Sequence, residues 1–450
     1  MIAAVAAGHP ATAEAGVQIL AAGGSAADAA VAASLASCVA ETVMTGLLGG
    51  GHAIYFDAAT GRARNLDCFV AVPSGGGGPM TSLDVPFGEE LVHYAVGAAS
   101  CAVPGLPAGL AELWREHGRL PWPELVEPAL ALARAGVDMP PAHASCLAML
   151  APVMTLSDGA RLYAPEGRLL AAGDRLDQPG LVRALGLVRD EGAESVYAGT
   201  IADLLLALIE ERRGSITRAD LAGYRARWSA PLETHWAGRR VLTRGGLAGI
   251  AETLARFDPA RAPASLLAAL DDGGRGDGHT TNLTVVDETG SACVLTTSLG
   301  LGSGDWVPGL DLHLNSMLGE LDLVRGPLEP GARMESMMAP TLAFADGLEL
   351  ALGAAGGTRL RTALAGVLAG VLHDGLEPQE AIDRPRFHPA GQILNAEPGV
   401  DETWLAELEA GGRTVRRWAA RHHYFGGVSA VGRRSAGADP RRSGLALPAP

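Results

Sequence analysis

The chain predicts an α/β sandwich, with helical layers packed on β-hairpins. Three observations carry this. An alternating β-branched run, Thr280 to Asp287, reads as a strand that turns at Asp287-Glu288-Thr289-Gly290 into a second run, Ala292 to Ser298. A second pair of strand-like runs lies at Thr341 to Phe344 and Leu348 to Leu352. Between and around them stand long stretches with helical spacing of their apolar residues, above all from Leu106 to about Glu211.

In chain order, Thr12 to Ala22 reads as a helix closed by Gly23-Gly24. Ser25-Ala-Ala-Asp28 resembles a capping box and opens a helix to about Ala40. The Gly46 to Gly51 passage leads into a strand at His52 to Phe56, and Asp57–Gly61 turns the chain into another at Ala63 to Phe69. Gly75 to Gly78 marks a loop. Leu110, Leu113 and Trp114, then Leu125, Leu130 and Leu132, repeat at helical spacing. A short strand is expected at Arg239 to Leu242 and a helix at Leu247 to Phe257. Asp271 to Gly278 is acidic and Gly-rich, the composition of an exposed linker open to cleavage. After the turn-rich Gly302 to Gly309, Ala355-Gly356-Gly357-Thr358 feeds a helix at Arg361 to Leu372. No internal repeat is evident.

Composition narrows the function. A formal net charge of −15 over 450 residues argues against nucleic acid or an anionic membrane as partner. The five cysteines, Cys38, Cys68, Cys101, Cys146 and Cys293, are scattered without a C-x-x-C pair, which predicts free buried thiols in a reducing compartment. The N-terminal stretch has no basic segment before its apolar run, so it lacks the form of a signal peptide. The Ala-rich run Ala26 to Ala40 is broken by Asp28 and Ser34 and does not read as a membrane span. A soluble cytoplasmic protein is the expectation. His9, His52, His422 and His423 lack acidic or Cys partners at ligand spacing and read as structural, so no metal and no organic cofactor are expected.

The adjacent threonines Thr280-Thr281 carry the sharpest chemical implication. A threonine hydroxyl is a poor nucleophile unless a base takes its proton. Scission between His279 and Thr280 would place an α-amino group, with an ordinary pKa of about 7.7–8.0, on the same residue. One broken peptide bond would create nucleophile and base together. The same residues also suit an ordinary hairpin start, and Gly356-Gly357 also suits a plain strand-to-helix turn. Gly49 to Gly51 lacks the following G-K-[ST] of a phosphate-binding loop.

An ordered set of motifs resolves these readings. Val5-Ala-Ala-Gly-His-Pro10, Gly23 to Ala30, Gly49 to Gly51, Thr217 to Leu221, Thr280 to Asp287, Gly356 to Arg359, Pro385 to His388 and Gly437 to Arg441 span nearly the whole chain. In that order they resemble the γ-glutamyltransferase family of N-terminal-nucleophile hydrolases. The resemblance implies an αββα sandwich of two stacked antiparallel sheets between helical layers. It implies self-cleavage into a large part, 1–279, and a small part, 280–450, intertwined as one domain. By position, Thr280 matches the family's nucleophile, Ser298 the helper hydroxyl, and Gly356 and Gly357 the oxyanion pair, whose N–H groups each supply about 2.7–4 kcal/mol to a transition state. Thr296 shares a strand face with Ser298 and is expected to bind the substrate with Phe69, Met317, Glu320, Ser336 and Met337.

The substrate-recognition positions depart from the family. Phe69 stands where an arginine of a D-x-R-E-x-A-P pattern would clamp a carboxylate, a contact worth about 1.5–3 kcal/mol. Arg62 or Arg64 would have to turn inward to replace it. The family's L-N-N-x-M-D-D-F reads Leu314 to Leu321 here, with Met317 and Glu320 at its centre and Glu320 the one retained carboxylate. The paired serines become Ser336-Met337, and the stretch from Arg240 to Thr280 is much shorter than in the family. The reaction machinery is kept while the γ-glutamyl clamp is not.

These departures are similar to those of family members in actinobacterial antibiotic pathways of the lincomycin and pyrrolobenzodiazepine types. The expected function is therefore a self-processing threonine hydrolase that cleaves a C–C bond of a tyrosine-derived intermediate. The alternatives are a γ-glutamyl hydrolase, transpeptidase or amide acylase with a rebuilt recognition site, and an uncut, non-catalytic binding protein. The expected partners are a small-molecule substrate, the chain's own two fragments, and a second copy in a homodimer.

Overall fold

The Thr280 hairpin forms as its alternation predicts. The computed structural model describes residues 1–87, 90–270, 280–324 and 326–450. In it, Thr281–Val286 and Ala292–Ser298 pair antiparallel, with Thr281 opposite Thr297 and Val286 opposite Ala292. Asp287 closes the turn: its Oδ1 accepts from the N–H groups of Thr289 and Ser291 at 2.9 and 3.1 Å. Its Oδ2 accepts from the Ala26 N–H at 3.0 Å, which ties the turn to the first turn of a helix.

Further strands extend this hairpin into a seven-stranded sheet. Its order is Leu445–Pro448, Ala4–Ala7, Thr281–Val286, Ala292–Ser298, Gly50–Asp57, Arg62–Cys68 and Arg227–Ser229, antiparallel throughout. A six-stranded antiparallel sheet stacks on it, in the order Ala436–Ala438, Gly427–Gly432, Leu348–Ala355, Thr341–Phe344, Arg239–Thr243 and Leu232–Trp236. Residues before and after position 280 interleave in the seven-stranded sheet and adjoin at one strand pair in the six-stranded one.

Strand alternation sorts side chains into layers. Val286, Val294 and Ile54 meet Leu342, Ala351 and Val431 between the sheets. Leu283, Val285 and Leu295 face outward against the helix Ala26–Ala40. On the far side, Leu350, Leu352 and Val428 pack against the helix Arg359–Leu372. The protein is an αββα sandwich, as its sequence predicts.

The Ala26–Ala40 helix is buried along its whole length, which its small side chains permit. Ser25 and Asp28 cap it reciprocally: the Asp28 N–H donates to Ser25 Oγ at 3.1 Å and the Ser25 N–H to Asp28 Oδ2 at 2.9 Å. Among the described residues no helix is long and apolar enough to cross a membrane. All five cysteines are buried, and none forms a disulfide.

Several boundaries shift for local reasons. The first helix starts at Pro10 rather than Thr12, because His9 acts as its N-cap and Pro10 suits the first helical position. The helix expected at Leu247 to Phe257 shortens to Ile250–Arg256, since Gly249 takes a left-handed φ of 58°. The strand expected to end at Leu352 runs on to Ala355. Two strands, Arg227–Ser229 and Leu232–Trp236, the helix Ala264–Leu270, and a hairpin of Thr81–Phe87 and Glu90–Val96 add to the expected elements. The acidic stretch Asp271 to Gly278 lies outside the described residues.

Candidate active site

The two sheets bring Thr280 and the Gly356-Gly357 pair together. Thr280 immediately precedes its strand in the first sheet, and Gly356 immediately follows Ala355 at the end of a strand in the second. The Gly356 N–H donates to Thr280 Oγ1 at 2.7 Å. Gly356 has a φ of 124° and Gly357 of 57°. A Cβ on Gly356 would also sit 2.8 Å from the Gly426 Cα, so only glycine fits there. A carbonyl carbon bonded to Thr280 Oγ1 would therefore carry its oxygen within reach of this turn.

A cleft with about 510 Å³ of atom-free space, part of it open solvent, opens on Thr280. Most sequence-predicted site residues line it: Thr280, Ser298 and Gly357 beside Phe69, Met317, Glu320, Ser336 and Met337. Ser298 Oγ accepts from the Gly300 N–H at 2.9 Å, which holds the hydroxyl beside Thr280. Thr296 is a correction. It shares the strand face of Ser298 but does not line the cleft, because Asn282 directly opposite donates from Nδ2 to its Oγ1 at 2.8 Å. Its hydroxyl locks the hairpin. His279 lies outside the described residues.

Phe69 is buried and stacked on His52, ring centroids 5.4 Å apart. Neither candidate replacement for a clamping arginine reaches the cleft. Arg64 pairs with Glu116 at 3.2 Å and lies over the Trp228 ring, and Arg62 is exposed. Both belong to the even positions of their strand, the face turned toward the helices. Arg244 comes near from behind the wall, where Nη1 donates to the Ser336 carbonyl at 2.8 Å.

Glu320 is a polar group in a mostly apolar wall. Burial, with the Asp322 charge adding, pushes its carboxyl up to about 8. Its Oε1 has no hydrogen-bond partner among the described residues, and at neutral pH the protonated carboxyl is a donor available to a ligand.

The family model described as gamma-glutamyltranspeptidase matches residues 12–254 and 250–449. The chain belongs to that family. It is 28% identical to the acylase ACY 1 proenzyme of Pseudomonas sp. (strain SE83) over 94% of this chain and 88% of the relative. It is 28% identical to the glutathione hydrolase proenzyme of Pseudomonas aeruginosa over 82% and 80% of the two chains. Among solved structures, cephalosporin acylase from Bacillus halodurans superposes with a TM-score of 0.84 at 23% identity, covering 99% of this chain and 95% of that one. LmbA2991HD gives 0.83 at 23% identity, with 99% and 98% covered. Both share the fold.

This member of the gamma-glutamyltranspeptidase family holds cleft residues that its sequence did not single out. Tyr94 and His93 come from the hairpin Thr81–Phe87/Glu90–Val96, and Met338 and Leu360 extend the apolar wall. Met338 directly follows Ser336-Met337, the one signal that could have found it. Glu41 is a second omission. It is the buried residue after the Ala-rich helix. Its Oε1 accepts from Thr12 Oγ1 at 2.7 Å and its Oε2 from the Thr281 hydroxyl. Burial pushes it up to about 7. Of the isolated histidines, His9 caps a helix and His52 stacks on Phe69. Among the described residues no group of three or more His, Cys, Asp or Glu is placed to hold a metal ion.

Proposed function

We propose that the chain is cut before Thr280 and that the freed threonine hydrolyses an acyl group other than γ-glutamyl. The α-amine takes the Thr280 hydroxyl proton, Oγ1 attacks the substrate carbonyl, and the Gly356 and Gly357 N–H groups hold the oxyanion. The amine then protonates the leaving group. Water attacks the resulting ester with the same amine as base, releasing an acid and restoring the threonine. Residues 1–279 and 280–450 stay together because their strands interleave in the seven-stranded sheet and pair across one junction, Thr341–Phe344 with Arg239–Thr243, in the six-stranded sheet.

One observation carries this reading: the 2.7 Å contact of the Gly356 N–H with Thr280 Oγ1, in a cleft where Phe69 fills the place of a clamping arginine. An apolar wall of Phe69, Met317 and Met337 favours an unsaturated or aromatic-derived substrate over a glutamyl chain. The preferred reaction is cleavage of a C–C bond in a tyrosine-derived intermediate of antibiotic biosynthesis, with the leaving carbon stabilised as an enamine. A second reading, amide acylase, is favoured by 28% identity to the acylase ACY 1 proenzyme over 94% of this chain.

Intact mass with N-terminal sequencing tests the first step. The expected products are fragments of 279 and 171 residues, the second being 450 − 279, with the small one beginning at Thr280. Thr280→Ala should remain one inactive chain. An unbroken active chain overturns the proposal, as does normal turnover of γ-glutamyl-p-nitroanilide. Release of oxalate or another small acid from a C–C substrate, against release of an amine, separates the two readings.

A further inference from the structure

Thr280 borders a second, more enclosed cavity on the side away from the substrate cleft. It spans about 270 Å³ and is walled by Glu41, Met44, His143, Thr280, Thr281 and Arg442, among others. Two close approaches place its charges. A Cβ on Gly8 would lie 2.6 Å from Glu41 Oε2 and 2.8 Å from Thr281 Oγ1, so Glu41 sits against the start of the Thr280 strand. A Cβ on Gly356 would lie 3.3 Å from Arg442 Nη2, so the guanidinium sits behind the glycine that contacts Thr280 Oγ1. Thr280 is thus flanked by a buried acid on its strand side and a buried cation on its glycine side.

Arg442 is unusually unbalanced for a buried arginine. Its Nη1 donates to Met44 Sδ at 2.9 Å, and its Nε has no hydrogen-bond partner among the described residues. The adjacent Asp439 is engaged elsewhere, by Arg386 at 2.6 Å and Arg441 at 3.2 Å. The other groups facing the cavity add little opposing charge. His143, on the helix Pro141–Met154, is pushed down to about 3 by burial, and His9 to about 4, so both are neutral. Cys146, on the same helix as His143, is pushed up to about 12 by burial and stays a thiol. Arg359, at the start of the helix Arg359–Leu372, adds a further positive charge. Asp439, which also lines the cavity, and Glu41 are the acids that face Arg442, and of the two only Glu41 contacts the start of the Thr280 strand.

We propose that this inner cavity receives the α-amine of Thr280 after scission, and that Arg442 and Glu41 are its positioning residues. The idea rests on Thr280 being the freed nucleophile. Arg442 disfavours the ammonium form and so keeps the amine a base. Glu41, raised to about 7 by burial, favours the ammonium form once it is ionised and holds the strand start through the Thr281 hydroxyl. Two charges of opposite sign on one amine make opposite predictions, which a merely structural role does not.

The test is the acid limb of the pH–rate profile of the processed enzyme, together with pH-dependent labelling of the amine that begins the 171-residue fragment. Arg442→Met should move both upward by about one to two pH units, and Glu41→Gln should move both downward by a similar amount. Arg442→Lys, which keeps the charge, should restore the limb to within about half a unit of the parent. If Arg442→Met is not cut, Glu41→Gln and Arg442→Lys carry the test. Shifts of the same sign, or an amine that titrates unchanged in Glu41→Gln, overturn the proposal. A parent protein whose small fragment does not begin at Thr280 overturns the underlying function instead.

Discussion

Replacing Glu320 with glutamine should make the protein more stable at alkaline pH and change it little in acid. A carboxyl ordinarily titrates near 4.5, and burial raises this one to about 8. Between those values the folded state holds a proton that the unfolded chain has released. Folding is therefore favoured below the lower value, and the advantage drains away as pH rises through the upper one. Above about pH 8 a charged carboxylate sits in an apolar wall. At 1.36 kcal/mol per pH unit, a rise from 4.5 to about 8 corresponds to about 4–5 kcal/mol as an upper bound. Relaxation and water entry reduce this, so about 2–4 kcal/mol is the expected gain for Glu320→Gln at pH 9, against less than about 1 kcal/mol at pH 5.

The assay is the difference in urea midpoint between the Thr280→Ala protein and its Glu320→Gln derivative, measured from pH 5 to pH 9. On the proposed scission Thr280→Ala keeps both as single chains, and the titration of Glu41, raised to about 7, cancels in the difference. A difference that stays constant with pH, or that favours the carboxylate at pH 9, would show that Glu320 does not hold a proton in the folded state up to about pH 8. In processed enzyme the same titration should appear in substrate binding. For a ligand that accepts a hydrogen bond from the protonated carboxyl, KM should rise through pH 8 in the parent and stay flat in Glu320→Gln, whose amide does not titrate.

Arg64→Ala should leave KM unchanged, since the side chain points toward Glu116 and Trp228 rather than into the cleft; a rise of tenfold in steady-state assays would place it in the site after all. Gly353→Ala should destabilise the fold by about 1–3 kcal/mol, because the new methyl group would fall 2.1 Å from Asn282 Nδ2 between the sheets; thermal melts of the uncut protein read this. The same change should also slow scission, since Asn282 lies two residues from Thr280.

Local chemistry makes much of this fold legible. The Thr280 hairpin announces itself by alternation and an Asp-x-x-Gly turn, and the Ser25–Asp28 box appears with both of its hydrogen bonds. The hairpin that supplies Tyr94 is hidden, since Pro86 and Asp84 interrupt any strand pattern in Thr81–Phe87. Strand parity alone separates Arg62 and Arg64 from Phe69, so their outward course is readable in principle. Thr296 is misplaced by sequence reasoning because sharing a face with Ser298 says nothing about what sits opposite, and Asn282 takes its hydroxyl. Glu41 is invisible for a different reason: its partner Thr281 lies 240 residues away, and only the folded sheet brings them together.

These outcomes divide along a physical line. The groups around Thr280 that would do chemistry are backbone N–H groups and short hydroxyls placed by the ends of two paired strands. Their positions depend on the ladders, not on neighbouring side chains. The groups that would recognise a substrate are long side chains: Phe69 at the end of a strand, and Met317, Glu320 and Met337 on the connection between His313 and Thr341. The described residues of that connection contribute no strand to either sheet. A wall built this way can exchange an arginine for a phenylalanine, or a serine for a methionine, without moving Gly356 relative to Thr280. Reaction geometry and substrate choice are therefore separable in this fold, which allows the Thr280–Gly356 contact to coexist with a cleft where Phe69 stands at the position that the family resemblance gives to a clamping arginine.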